Sequence, residues 1–356
     1  MQRVAMELDA ALIRDSEIQD GRIDYDAIHL TTSWDWIHIL TFPFLVVTYF
    51  RLRRRISQGQ VDVILFSSMV TATISIFLRR LSVRSGVRVA SIVHGQDGTL
   101  PVHFYQKYIV PKVFRAVDLV MPVSKATGEA CIARGLLPEK LRVVHNGVDL
   151  SRFPAPETSA GFRDGRSFRG DLPSGAFLLC SVGRQVKRKG FAWFIENVMP
   201  ELPEHVHYWL GGMGPEGDSI LAAIKSTGLE RRVRLMGKLG NDDLRDLYQS
   251  ADLFIMPNIP VPGDMEGFGI VMLEAGLNGL PTVASRLEGI IEVIEEGTNG
   301  YFCETGDTVG FVSRISDLDR NRTALADLST HTREHILSRH GWDAVSNRYL
   351  DALELC

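Results

Sequence analysis

Cysteine is scarce in this chain. Its four cysteines, Cys131, Cys180, Cys303 and Cys356, stand far apart in 356 residues and form no C-x-x-C pair. Neither a zinc site nor a disulfide framework is indicated, and a reducing cytoplasm fits. Long hydrophobic runs are missing too: the longest, Ile37 to Phe50, is interrupted by His38 and Pro43 and falls short of the ~20 residues that span a bilayer. Residues 1–20 alternate charges with apolar residues, unlike the basic start and apolar block of a secretory signal. No arginine and lysine stripe with interleaved aromatics occurs, which argues against nucleic acid.

What is present is an ordinary globular composition, 45% hydrophobic and 23% charged. Single cores stop growing near ~250 residues, so this length predicts two domains. The net charge of -4 divides into about +4 up to residue 160 and about -8 beyond. Short β runs alternate with helical stretches in both halves. Strands are expected at Ala27 to Thr31, Val61 to Phe66, Val87 to Val93, Leu119 to Val123 and Arg142 to His145. A second set is expected at Phe177 to Val182, His207 to Leu210, Val233 to Met236, Leu253 to Met256 and Thr282 to Ala284. Such alternation predicts two doubly wound parallel sheets covered on both faces. The Pro-, Gly-, Ser- and charge-rich stretch 154–171 reads as a linker. It separates an N-terminal domain, 1–153 completed by a C-terminal helix about 338–356, from a second domain, 172–337. Ligands of such sheets sit beyond the carboxyl ends of the strands.

Two loops in the second half carry chemistry. The strand Phe177 to Val182 runs into Gly183-Arg184-Gln185-Val186-Lys187-Arg188-Lys189-Gly190, a glycine-bracketed turn with four cations. A pyrophosphate needs close backbone approach, positive charge and a bidentate guanidinium, and this loop offers all three; a solvated basic turn is the plainer alternative. The second is Glu266-Gly267-Phe268-Gly269-Ile270, whose apolar continuation to Ala275 predicts a helix with its first free N–H groups aimed at an anion. Glu266 and Glu274 are eight residues apart, slightly over two helical turns, so helical geometry would put both carboxylates on nearly the same face. A capping glutamate and an exposed helical glutamate would give the same letters.

Gly183-Arg184 with Lys189-Gly190, Gly212 to Pro215, Leu235-Met236-Gly237, and two glutamates separated by seven residues resemble the retaining GT-B glycosyltransferases of family GT4, the glycosyl transferases group 1. Val123-Ser124, Asn146-Gly147-Val148-Asp149, Gly279-Leu280-Pro281 and Trp342 match as well, so the resemblance covers nearly the whole chain. It implies two Rossmann-like α/β domains facing a cleft. It also implies transfer of a sugar from a UDP-, GDP- or ADP-sugar to a glycan or lipid-linked acceptor, in polysaccharide, lipopolysaccharide or glycolipid biosynthesis, with no cofactor and no metal.

Carried over residue by residue, the resemblance assigns Arg184 and Lys189 to the donor diphosphate, Glu266 to the donor sugar and Glu274 to the ribose hydroxyls. Gly183 opens the phosphate loop. The amides of Phe268, Gly269 and Ile270 would meet sugar and phosphates, and Gly237 with Lys238 the base. Lys187 and Arg188 vary among such enzymes and carry less of the assignment. His94, after the strand Val87 to Val93, resembles the histidine that contacts the donor sugar near the reacting carbon. Asp97 would orient the acceptor hydroxyl or cap Thr99, and Ser124 reads as a helix N-cap.

Gly212-Met213-Gly214-Pro215-Glu216-Gly217 spells a dinucleotide fingerprint. The acidic residue that fingerprint needs is absent, because the next strand ends Leu235-Met236-Gly237. The strand and glycine-rich loop that usually open the family are also absent, which predicts an incomplete N-terminal domain. Thr41 to Tyr49 followed by Arg51, Arg53, Arg54 and Arg55 reads either as a membrane-surface helix or as a domain helix with a solvated basic end. The first reading would bring a cytoplasmic chain to the inner face of the membrane. A nucleotide-sugar 2-epimerase of the same architecture and a non-catalytic nucleotide-sugar binder are the rival functions.

Overall fold

The computed structural model describes residues 2–15, 18, 20–30, 34–95, 105–153 and 168–354. The chain forms two compact units, Met1–Gly147 with Trp342–Cys356, and Val148–Gly341. The first ends at Gly147 rather than after residue 153, because Val148 already hydrogen-bonds to the His340 carbonyl at 2.9 Å and Arg152 pairs with Glu274. Residues 338–341 stay with the second unit for the same reason. Of the expected linker, 154–167 lie outside the described residues. Arg169–Asp171 form a short turn tied to the second unit by the pairs Arg169–Asp252 and Arg234–Asp171.

In the first unit, β1 (Val63–Phe66), β2 (Arg88–Val93) and β3 (Leu119–Pro122) pair in parallel in that order. Ile64, Phe66, Val89, Val93 and Val120 meet Leu52, Ile56 and Leu78 from the flanking helices in one core. Two expected strands do not form. Residues 27–30 make no ladder; Tyr25 and His29 bond instead to the Asp9 carboxylate, at 2.8 and 2.9 Å, and hold the segment on the first helix. Thr31 lies outside the described residues. Residues 142–145 run beside β3 with bonds from the Arg142 and Val144 amides to Val120 and Pro122, but Pro122 has no N–H to return, so no full ladder develops.

The helix Gln2–Arg14 buries Val4, Leu8, Ala11 and Leu12 and packs on the last helix, Trp342–Ala352. Trp342 is buried and donates its indole N–H to Glu7 at 2.9 Å. Gly147 lets the indole in: a Cβ there would lie 2.5 Å from the ring.

In the second unit β4 (Phe177–Val182), β5 (Val206–Gly211), β6 (Val233–Gly237), β7 (Leu253–Met256), β8 (Thr282–Ser285) and β9 (Gly300–Cys303) form a parallel sheet in the order β6-β5-β4-β7-β8-β9. The strand β9 was not anticipated from the sequence. Both faces are covered, so β4, β5 and β7 are mostly apolar, broken only by Ser181 and His207, and the core gathers Phe177, Tyr208, Leu253, Phe194, Phe311 and Ile315. Strand order reverses between β4 and β7, which makes their carboxyl ends the crevice where such a sheet binds ligand.

Replacing Trp342 by alanine removes a large buried ring and the bond to Glu7. We expect a loss of about 3 kcal/mol or more, measured by guanidinium unfolding.

Candidate donor-binding site

The loop after β4 and the loop after β7 meet at this crevice. The cationic loop closes in a 3-10 turn, Lys187–Lys189, that ends at Gly190 with φ 65°. A Cβ on Gly190 would fall 1.9 Å from the Pro257 carbonyl oxygen, so only glycine permits this approach. The Ile259 amide donates to the Arg188 carbonyl at 2.9 Å and joins the two loops directly.

Their side chains converge on one carboxylate oxygen. Glu266 Oε2 accepts from Lys189 Nζ at 2.6 Å, from Arg188 Nη1 at 2.7 Å and from Asn258 Nδ2 at 3.2 Å. Arg188 also reaches Asp264 through Nε at 2.9 Å. Lys189 is 5% exposed and Glu266 8%. Burial alone would raise the Glu266 carboxyl, but the charges of Lys189 and Arg188 outweigh it and hold the group below the ordinary carboxylate value. Burial lowers the Lys189 ammonium, and Glu266 offsets only part of that.

A second cluster surrounds Glu274, which is 2% exposed inside the helix Ile270–Leu277. It accepts from Arg152 Nη1 at 3.2 Å and from the Tyr248 hydroxyl at 3.3 Å, while Arg152 Nη2 donates to Asn241 Oδ1 at 2.8 Å. The helical argument that joined Glu266 to Glu274 fails. Gly269 takes a left-handed conformation, φ 81°, and starts the helix at Ile270, so Glu266 lies outside it in an irregular loop.

The other expected residues divide. Gly183 donates its amide to Gly211 at 2.9 Å and Gly237 accepts from Gly212 at 2.7 Å, which ties the loops after β4, β5 and β6 together. The Gly212 to Gly217 loop packs under the cationic one: a Cβ on Gly214 would meet the Gln185 oxygen at 2.3 Å. Its glycines thus have a packing reason unrelated to dinucleotides. Arg184 and Lys238 are exposed and make no ion pair among the described residues, so the structure joins Lys189 but not Arg184 to Glu266. Phe268 turns its ring inward, 5.8 Å from His340, and Ile270 is half-buried. In the first unit His94 follows β2 and its Nε2–H donates to the Ser67 carbonyl at 3.0 Å. Asp97 and Thr99 lie outside the described residues. Ser124 is an N-cap, its hydroxyl accepting from the Thr127 amide.

Sequence reasoning set Arg188 aside and missed Arg152, Asn258 and Asp264. Asn258 and Asp264 flank Glu266 on the same loop, which was a usable signal. Arg152 is joined to Glu274 across 122 positions, and nothing local announces that.

Glu266 can lose Lys189 and keep Arg188 and Asn258, whereas Glu266 is the one carboxylate within bonding distance of Lys189 among the described residues. Glu266→Ala should therefore destabilise by about 3 kcal/mol by stranding a buried ammonium, and Lys189→Met by only roughly 1 to 2 kcal/mol. A depressed carboxylate contributes stability that is present above its unfolded value and lost as pH falls through the folded one. The gap between wild type and Glu266→Ala should be full at neutral pH and shrink below about pH 4, followed by urea titration at each pH.

Comparison with known proteins supplies the family. The model described as Glycosyltransferase Family 4 matches residues 10–152, and that described as Glycosyl transferases group 1 matches residues 176–321. A putative colanic acid biosynthesis glycosyltransferase of Salmonella typhimurium is 28% identical over 283 residues, 78% of this chain and 66% of its own length. A lipopolysaccharide core biosynthesis glycosyltransferase of Rhizobium meliloti is 32% identical over 240 residues, 67% of this chain and 65% of its own. The chain thus spans just under two thirds of these relatives. Among solved structures, Anabaena HepE in complex with UDP superposes with a TM-score of 0.71 at 21% identity, covering 88% of this chain and 82% of its own. That likeness gives the fold, GT-B. With both family models matched in order along its length, the chain belongs to the group 1, family 4 glycosyltransferases.

Proposed function

We propose that the chain transfers a sugar, with retention of configuration, from a nucleoside diphosphate sugar to a glycan or lipid-linked acceptor in the synthesis of a cell-surface polysaccharide, lipopolysaccharide or glycolipid. The observation that carries this reading is the buried Glu266 carboxylate holding Lys189 and Arg188 at the sheet's switch point. A diphosphate can take over what the carboxylate now occupies. Lys189 and the exposed Arg184 turn to phosphate oxygens, and Glu266, relieved of Lys189, accepts hydrogen bonds from sugar hydroxyls. Glu274 takes the ribose hydroxyls in place of Arg152. The amides of Phe268, Gly269 and Ile270 meet sugar and phosphates, Gly183 lets the phosphate loop approach, and Gly237 with Lys238 meets the base. His94 has the donor-sugar role that the family resemblance assigns.

In the chemical step the acceptor oxygen bonds to the anomeric carbon as the bond to the diphosphate breaks. The departing phosphate accepts the acceptor's proton on the same face. The loop cations stabilise the charge that develops on the leaving group, so this reading requires no metal. HepE is solved with UDP and with UDP-glucose, so UDP-sugars are the first donors to try, followed by GDP- and ADP-sugars.

Thermal-shift screening against UDP-, GDP- and ADP-sugars should identify one that raises the melting temperature. With that donor, Glu266→Ala should lower kcat/KM by about 100-fold or more while keeping its circular dichroism. Interconversion of the free donor with its 2-epimer, without an acceptor, would replace this reading with the epimerase.

A lipid-carried acceptor requires a membrane surface, and one surface of the first unit fits it. Among the described residues no helix is long and apolar enough to cross a membrane. In the helix Trp34–Ser57, Thr48, Leu52 and Ile56 face the core, while Ile39, Val46 and Phe50 share the outer face with Arg53. Phe42 is 74% exposed and Phe50 61%. Phe77, 74% exposed on the helix Ile74–Arg84, continues the patch through Tyr49, 6.3 Å away. Arg53, Arg54, Arg80 and Arg84 border it, and none is in an ion pair among the described residues. Exposed aromatics rimmed by arginines suit an anionic bilayer, where each basic residue contributes ~1 kcal/mol at the surface. Flotation with phosphatidylglycerol vesicles at low salt should carry the protein, phosphatidylcholine vesicles should not, and Phe42→Ser with Phe50→Ser should release it. No flotation with the anionic vesicles would end the membrane contact.

A further inference from the structure

Behind the Glu266 loop lies a residue that no sequence motif singled out. Glu288 follows β8 and opens the short turn Glu288–Glu292 with φ 49°. Among the described residues the only other side-chain-bearing residue at positive φ is Glu354, near the chain end. Left-handed backbone suits glycine, and among other residues the short polar side chains of Asn and Asp, which bond locally. A glutamate there is strained, and strain of this kind persists where the surroundings over-determine it.

The surroundings are the backbone of Glu266 itself. The Glu266 N–H donates to the Glu288 carboxylate, and the Glu266 carbonyl accepts from the Gly289 amide at 3.3 Å. Both polar groups of that one residue thus end on consecutive residues of the turn. The packing is close as well: a Cβ on Gly289 would lie 2.2 Å from the Gly267 carbonyl oxygen. The loop it braces contains Gly267 and Gly269 and no regular structure, so its own conformational preferences fix little.

We propose that Glu288 is a positioning residue, which accepts left-handed backbone so that its carboxylate can hold the Glu266 amide and keep the Glu266 side chain aimed at Lys189 and the donor sugar. The inference rests on the donor-site reading for its catalytic consequence, and on geometry alone for the tether. Burial raises the Glu288 carboxyl, and the like charges of Glu266 and Asp264 add to that, while the Glu266 amide and Arg188 act the other way. The carboxylate is thus held in an unfavourable setting by the amide it accepts. A glutamine would keep an acceptor in reach. Glycine would relieve the backbone and remove the acceptor, and asparagine would tolerate the backbone but fall short of the amide.

The test compares Glu288→Gln, Glu288→Gly and Glu288→Asn in the full chain by hydrogen exchange of the peptide spanning residues 264–270, melting temperature, and donor kcat and KM. We expect Glu288→Gly and Glu288→Asn to exchange this peptide at least tenfold faster than wild type and to lose tenfold or more in kcat/KM. Their melting temperature should be unchanged or higher, and Glu288→Gln should stay within threefold of wild type throughout. Unchanged exchange in the glycine and asparagine variants, or turnover within twofold of wild type in both, overturns the proposal. So does a fall in melting temperature shared by all three variants with no exchange change confined to this loop. If wild type turns over no nucleotide sugar, the donor-site reading fails, and the exchange comparison still decides the tether.

Discussion

A lysine ammonium and a glutamate carboxylate meeting away from water is the constraint around which the second unit is arranged. Taking Lys189 and Glu266 out of solvent is unfavourable for each, and the pair persists because geometry, Arg188 and Asn258 complete the carboxylate's bonds. The two side chains come from loops after β4 and β7, adjacent strands in the sheet that are far apart in the chain. Only a doubly wound order brings those exits side by side, and only a glycine at position 190 lets the first loop settle on the Pro257 carbonyl. The fold therefore supplies proximity, and one residue without a side chain supplies the last ångströms.

Legibility in the sequence followed burial. Strands β4 and β7 could be read to their end residues because both faces are covered and their letters are almost all apolar, Ser181 being the exception. The segments that misled were those whose partners are not strands. Residues 27–30 have strand-like composition, yet their bonds go to Asp9 on a helix, and residues 142–145 lie against a proline that cannot complete a ladder. Apolar content alone does not say whether a neighbouring edge has free N–H groups to offer.

The site was legible as a set of charges but not as a set of contacts. Arg184, Lys189, Glu266 and Glu274 could be named from the cationic loop, the glutamate spacing and the family resemblance together, and Lys189 does meet Glu266. The expected common helical face was wrong because periodicity assumes a continuous helix, and Gly269 at positive φ interrupts it. Arg152 on Glu274 and Glu288 under Glu266 depend on which loops the sheet order juxtaposes. Such contacts are properties of the tertiary structure, and no window of sequence contains both partners.

The four cations of the loop after β4 are not equivalent, and their division explains how a site can be both folded and receptive. Arg188 bridges Asp264 and Glu266 through separate nitrogens, so its planar fork is used as a strut between two carboxylates of the facing loop. Arg184 and Lys187 are exposed and carry their charge without serving that strut. Lys189 stands between these cases, buried on the Glu266 oxygen that Arg188 also holds. If an incoming diphosphate draws Lys189 away, Glu266 does not become a stranded charge, because Arg188 and Asn258 remain on it. A guanidinium that stays on the carboxylate would let the neighbouring ammonium change partners without stranding that carboxylate.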